Sequence, residues 1–179
     1  LLTVAKGLGG GYMPIGAYAA SGRICDALMA GSGVLKHGHT YSGHTLACAT
    51  ALAVQTALRE EGLFANAQRM GSLLRQRLHE RFRTHPHVGD IRGRGLFLSL
   101  ELVMDRDTKT PFDPAQQVWL RVRNAAMEGG LLCYPTGGCA DGVSGDQIML
   151  APPLNYTECE VVETVDKLAY ALEIALASL

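Results

Sequence analysis

Apolar positions fall first into short runs and later into long helical stripes. Residues 1–5, Leu-Leu-Thr-Val-Ala, are a mostly apolar run that predicts the end of a buried strand. The stretch Lys6-Gly7-Leu8-Gly9-Gly10-Gly11-Tyr12 follows at once, and residues 15–20 are again small and apolar, a second short strand. Ser21 is placed to cap a helix reaching residue 29, and residues 31–43 read as a polar, glycine-punctuated loop. Residues 45–58 are alanine-rich with no breaker, which predicts a helix. Over residues 64–82, Leu73, Leu74 and Leu78 recur at helical spacing against Arg75, Arg77 and Arg81 on the other face.

Beyond His85-Pro86-His87 the pattern changes to interleaved strands and helices. Residues 88–91 and 96–103 read as strands, with Arg92-Gly93-Arg94-Gly95 between them. Asp113 is predicted to cap one helix from Pro114 to about residue 128, ended by Gly129-Gly130. Residues 131–134 and 147–150 are short strands around a glycine-rich loop, and Thr157 opens a last helix with Glu160 completing a capping box. Strands and helices without repeats give an α/β or α+β architecture. A boundary between residues 60 and 85 separates a glycine-rich front piece from a C-terminal unit.

Composition narrows the functional classes. The 179 residues carry 16 Lys+Arg against 17 Asp+Glu, a net charge of -1, which offers no electrostatic reason to expect nucleic acid or an anionic membrane as partner. A hydrophobic content of 47% supports a buried core. The 21 glycines, well above the usual share of about 7%, signal backbone conformations that a side chain would forbid. Five cysteines with no C-x-x-C pair read as free thiols, so a reducing, cytoplasmic setting is expected, and the Cys133–Cys139 spacing does not match the common zinc knuckles. No apolar run has the length of a membrane span, and no basic-then-apolar leader is present. The chain opens inside a strand without an initiator Met, so upstream sequence is expected to be missing.

Three segments can carry chemistry. Lys6 sits between an apolar run and a glycine-rich turn, where its amine is either a Schiff-base nucleophile or a solvated turn residue. It precedes the glycines, whereas a P-loop lysine follows them, and Gly7, Gly9, Gly10 and Gly11 do not give the dinucleotide spacing. Lys36-His37-Gly38-His39-Thr40-Tyr41-Ser42-Gly43-His44 offers hydroxyls and backbone amides to an anion, or caps the following helix through Ser42 or Thr45. Its histidines read as polar loop residues and not as a metal site, since no carboxylate accompanies them. Arg92 and Arg94 are either a carboxylate fork or solvated turn residues. Asp141 and Asp146 lack the calcium-loop pattern and read as turn residues.

Four motifs occur together and in order. They are the stretch from Leu2 to Ala17 around Lys6, His37-Gly38-His39-Thr40-Tyr41-Ser42-Gly43-His44, Arg92-Gly93-Arg94-Gly95-Leu96, and Leu150-Ala151-Pro152-Pro153-Leu154. In this constellation the chain resembles the class III (ω-type) aminotransferases, pyridoxal-phosphate enzymes of fold type I. The resemblance implies an α/β fold in which residues 1–70 are the C-terminal portion of the large cofactor domain and residues 71–179 the small C-terminal domain. It implies that Lys6 forms the Schiff base with pyridoxal 5'-phosphate and then serves as general acid/base. Thr40 and Tyr41 are implied to bind the cofactor, with Thr40 hydrogen-bonding its phosphate across the interface of a homodimer.

Two departures shape the expected substrate. Members that clamp an α-carboxylate place an arginine before Ala-Pro-Pro, and Met149 stands there in this chain. An ω-amine or ω-amino acid donor with a keto-acid acceptor is therefore expected, and Arg94 is the candidate for a substrate carboxylate. The family's aspartate at the pyridine nitrogen, its ring-stacking aromatic and its first phosphate loop all precede the lysine and are absent here. The piece alone is thus expected not to turn over substrate. Alternatives are a decarboxylating or aminomutase member of the family, a non-catalytic remnant that only mediates association, and a generic phosphate-binding domain.

Overall fold

The computed structural model describes residues 1–177, and the chain divides into two compact units, Leu1–Leu63 and Phe64–Leu179. In the first unit, strand β1 (Leu2–Val4) pairs antiparallel with β2 (Ala17–Ala19), Leu2 opposite Ala19 and Val4 opposite Ala17. The connection doubles back through a 3₁₀ turn at Lys6–Leu8 and then Gly10 and Gly11, at φ 58° and 81°. Such left-handed positions are open to glycine at little cost. Both strands are exposed along their whole length, unlike the buried strand expected from the apolar run. A two-stranded ribbon has no second layer here to cover either face.

Helix α1 (Gly22–Ala30) starts on the backbone carbonyl of Ser21, which accepts from Ile24 and Cys25; the serine hydroxyl makes no cap bond. Helix α2 (Thr45–Glu60) is capped by His44, whose Nδ1 accepts from Ala47 N at 3.3 Å. Neither Ser42 nor Thr45 does this work. Ser42 instead closes the preceding loop by accepting from His39 N.

The second unit is built on a four-stranded, wholly antiparallel sheet in the order β3-β4-β6-β5. Its strands are β3 (Val88–Arg94), β4 (Phe97–Leu102), β5 (Tyr134–Gly137) and β6 (Asp146–Leu150). Leu98, Leu100 and Leu102 alternate with Phe97, Ser99 and Glu101, so one face is buried and the other open. The buried face joins Met70, Leu74, Leu78 and Phe82 of α3 (Leu63–Phe82) in one apolar cluster. Helices α4 (Val118–Glu128) and α5 (Glu158–Leu176) complete that cluster through Val118, Val122, Val161, Leu168 and Leu172. The predicted box at the start of α5 is complete: Thr157 and Glu160 each bond the other's backbone N–H.

Three differences from the sequence reading have local causes. Strand β3 runs on through Arg94, because Gly93 adopts φ 136° and brings the backbone of Phe97 within reach; a Cβ there would lie 2.1 Å from Phe97 O. Strand β5 begins where residues 131–134 were expected to end, and includes Pro135. It is an edge strand, where a missing N–H breaks no ladder bond. The helix expected from Pro114 is broken at Gln117, which adopts φ 50°, and α4 starts afresh at Val118. Gln117 supplies no side-chain cap; Asp146 of β6 does, accepting from Trp119 N at 3.4 Å. No helix among the described residues is long and apolar enough to cross a membrane.

Two stability predictions follow from these contacts. A Cβ on Gly71 would lie 2.2 Å from the carbonyl carbon of Gly95, so α3 touches the β3–β4 turn backbone to backbone. Gly71→Ala is expected to lose about 3 kcal/mol despite the roughly 1 kcal/mol gained in helix propensity. An unchanged denaturant midpoint would contradict the close approach. Asp146 is only 7% exposed, and burial raises its carboxyl above the ordinary 3.8 more than the Trp119 N–H lowers it. The folded state therefore holds this proton longer than the unfolded chain, a contribution present below 3.8 and lost as pH rises through the folded value. The melting temperature of Asp146→Asn minus that of the parent should accordingly grow from acid to neutral pH, by on the order of 2–4 °C. A difference that stays flat or shrinks would mean that the helix cap outweighs burial.

Candidate active site

The lysine singled out by the sequence occupies an unusual backbone position. Ala5 ends β1 in an extended conformation, and Lys6 then turns to φ 55°, one of three non-glycine residues at positive φ among those described. For a side chain with a Cβ this costs on the order of 1–3 kcal/mol. A ladder of short-range bonds offsets it: Leu8 N to Ala5 O at 3.1 Å, Gly9 N to Lys6 O at 3.2 Å and Tyr12 N to Gly9 O at 3.0 Å. The Lys6 side chain is exposed and makes no hydrogen bond or ion pair among the described residues.

Thr40 and Tyr41 lie at the tip of the loop before α2, both exposed. The loop is closed by Ser42 N to His39 O at 2.9 Å, His39 N to Ser42 Oγ at 3.2 Å and His44 N to Tyr41 O at 3.1 Å, with Gly43 at φ 73°. The Tyr41 and His44 rings meet edge to face at 6.0 Å. Between this loop and the β1–β2 ribbon lies a cleft of about 660 Å³, walled by Thr3, Val4 and Tyr18 on one side and His37, His39 and Ser42 on the other. The two motifs nearest the start of the chain thus face one another across one space. Lys6, Thr40 and Tyr41 flank its walls in sequence but do not themselves line it.

Arg94 belongs to the second unit. It ends β3 opposite Phe97 on the open face of the sheet, exposed and without a hydrogen bond or ion pair among the described residues. Arg92, two residues earlier on the same face, is engaged: it pairs with Asp90 at 3.0 Å and Glu101 at 3.5 Å, which holds the Asp90 carboxyl below its usual range. Met149 is also on the open face, between Ser99 of β4 and Tyr134 of β5. Asp141, as expected, is a turn residue whose carboxylate accepts from Val143 N and Ser144 N, whereas Asp146 is the buried cap described above. Cys133 is half-buried, and desolvation pushes its thiol up to about 11, a packed and protonated group.

Two polar side chains that sequence reasoning passed over hold the motif segments in place. Asn66 of α3 donates to the carbonyls of both Leu154 and Tyr156, at 2.8 and 2.9 Å, and so ties down the Ala-Pro-Pro segment. Gln55 of α2 donates to the carbonyls of Gly7 and Leu8 in the lysine turn. Both partners are backbone atoms far away in sequence, and no pattern of residue types announces such bonds.

With lysine turn, hydroxyl loop, Arg-Gly hairpin and Ala-Pro-Pro segment all placed, comparison with known proteins is direct. The family model for class-III aminotransferases matches residues 1–172, and the chain belongs to that family. An aminotransferase of Gibberella zeae is 44% identical over 97% of this chain, which spans 34% of that relative. The crystal structure of a thermostable (S)-enantioselective omega-transaminase from Thermomicrobium roseum is 36% identical and superposes with a TM-score of 0.88, covering 97% of this chain and 37% of that one. An amine transaminase from an uncultivated Pseudomonas species, in its PLP-bound form, is 38% identical with a TM-score of 0.83, covering 98% of this chain and 38% of that one. The chain therefore spans little more than a third of the length of the relatives it matches.

Proposed function

We propose that this chain is the cofactor-lysine portion and small domain of a pyridoxal-phosphate transaminase that moves an amino group from an ω-amine or ω-amino acid to a keto acid. On this reading residues 1–70 close the large domain and residues 71–179 form the small one. The observation that carries the reading is Lys6, a free primary amine on a left-handed turn at a strand end, within a segment that the family model matches.

The donor set fits pyridoxal phosphate. It comprises an exposed amine at Lys6 and the hydroxyls of Thr40 and Ser42, beside a cleft that Ser42 lines and that is within the usual size range for small-molecule sites. Lys6 would hold the cofactor through Nζ, Thr40 from the partner subunit of a homodimer would meet its phosphate, and Tyr41 would help to bind it. When bound, the cofactor supplies the electron sink that lets the donor's C–H bond break. Lys6 Nζ takes that proton as a base and returns it as an acid, a role that needs a neutral amine held in place. The donor leaves as a carbonyl compound and the keto acid as an amine, so the exchange needs no outside oxidant.

The proposed donor choice is supported by the residue before Ala-Pro-Pro. Met149 is an apolar thioether flanked by Ser99 and Tyr134 and gives an α-carboxylate no cation to pair with. Arg92 is already paired, and Arg94 is the arginine we propose for a substrate carboxylate. A cytoplasmic homodimer is the expected form of the whole enzyme.

The test is made on the full-length gene product that carries this chain. Lys6→Ala should lower kcat for transamination by at least about a thousandfold with fold and dimer intact. The parent should form one new amine per donor consumed and release no carbon dioxide. Retained activity in Lys6→Ala, or carbon dioxide in step with turnover, would overturn the reading.

A further inference from the structure

The lysine turn does not stand alone; it is fastened to α2. The Gln55 side chain leaves the third turn of that helix and its Nε2 donates to Leu8 O at 3.2 Å and Gly7 O at 3.4 Å, the two carbonyls directly after Lys6. The neighbouring residue completes the attachment. A Cβ on Gly10 would come within 3.2 and 3.3 Å of the Val54 methyl carbons, so the glycine lets the turn lie against the helix. Val54 and Gln55 thus grip residues 7–10 from one side, one by packing and one by hydrogen bonds.

The other end of α2 is fastened to the hydroxyl loop. His44 caps the helix through Nδ1, and its N–H donates to Tyr41 O at 3.1 Å. One helix therefore carries both the clamp on the lysine turn and the loop with Thr40 and Tyr41. Ten residues separate Thr45 from Gln55, a rise of about 15 Å along a rigid rod. The direction in which the amine leaves the turn depends on where the turn is pinned to that rod.

We propose that Gln55 is a positioning residue for Lys6. By fixing the carbonyls of Gly7 and Leu8 it holds Lys6 at its left-handed φ and sets the direction in which the amine leaves the turn. The inference rests on the reading of Lys6 as the cofactor lysine. Lys6 has a Cβ and its conformation is uphill; without an external hold the turn relaxes toward ordinary φ and the amine swings away from its working direction.

The experiment uses the full-length gene product loaded with pyridoxal phosphate. Gln55→Met keeps the length and removes the donor, whereas Gln55→Arg keeps a donor at the same place. The pH midpoint of the bound cofactor's visible absorbance is measured beside kcat, KM and melting temperature. Gln55→Met should move that midpoint by about half a unit and lower kcat about tenfold, the scale of one lost hydrogen bond. KM and melting temperature should change little, and Gln55→Arg should recover kcat to within about twofold of the parent. A Gln55→Met protein with the parent's midpoint and kcat overturns the proposal, as does a folded Gln55→Arg protein that recovers nothing. Gln55→Glu, which sets a carboxylate against the same carbonyls, is read in parallel in case the Met variant does not fold. An unmoved midpoint in Gln55→Glu is equally fatal. Lys6→Ala separates the two claims: if it keeps the parent's absorbance band, the assignment of Lys6 fails, and if it loses the band while Gln55→Met does not shift it, only the role of Gln55 fails.

Discussion

One backbone conformation organises the first unit: Lys6 at φ 55°, directly after an extended Ala5. A lysine in that region stores strain that a glycine would not, and the surroundings must supply the difference. They do so locally, through the hydrogen-bonded turn from Ala5 to Tyr12, and at a distance, through Gln55 and Val54 of α2. The glycines that follow serve the reversal. A Cβ at Gly9 would sit 2.7 Å from Met13 O, so only glycine lets the chain double back and pair β2 with β1. The left-handed lysine and the tight hairpin are two results of one constraint.

The second unit works on a different principle. Its antiparallel sheet is held by an apolar face that α3, α4 and α5 cover, and its other face is left open. Alternation along β3 and β4 puts Arg92, Arg94, Ser99 and Glu101 together on that open side. Two arginines in one Arg-Gly-Arg-Gly motif then meet opposite fates. Register places Glu101 and Asp90 beside Arg92, while Arg94 faces Phe97 and keeps its charge unpaired among the described residues. Gly93, between them, allows the approach of Phe97, and Gly95 after them turns the chain at φ 56° where Gly71 of α3 lies against its backbone.

The long helices α2, α3 and α5 are legible in the sequence because their signals are local. The leucine stripe of α3, the breaker-free run of α2 and the Thr157–Glu160 box all sit where residue type and spacing predict them. What was not legible depended on partners remote in sequence. Asp146 looks like one more loop aspartate until its alternation with Ile148 and Leu150 is followed to the buried face, where it caps a helix 27 residues earlier. The break at Gln117 could not be foreseen from a stretch that reads as one helix from Pro114. Exposure of the β1–β2 ribbon was missed for a related reason: apolar residues announce that they are to be covered, not by what. At the site, motif order alone pointed to Lys6 and the hydroxyl loop, while the bonds from Gln55 and Asn66 to backbone carbonyls left no trace in composition or period.

The most direct test of the account is to reduce the full-length gene product with borohydride in the presence of pyridoxal phosphate and to map the modified peptide by mass. The account predicts a phosphopyridoxyl group confined to the peptide that carries Lys6. Label scattered over surface lysines, or absent, would contradict it and leave Lys6 as a strained turn residue without a chemical role.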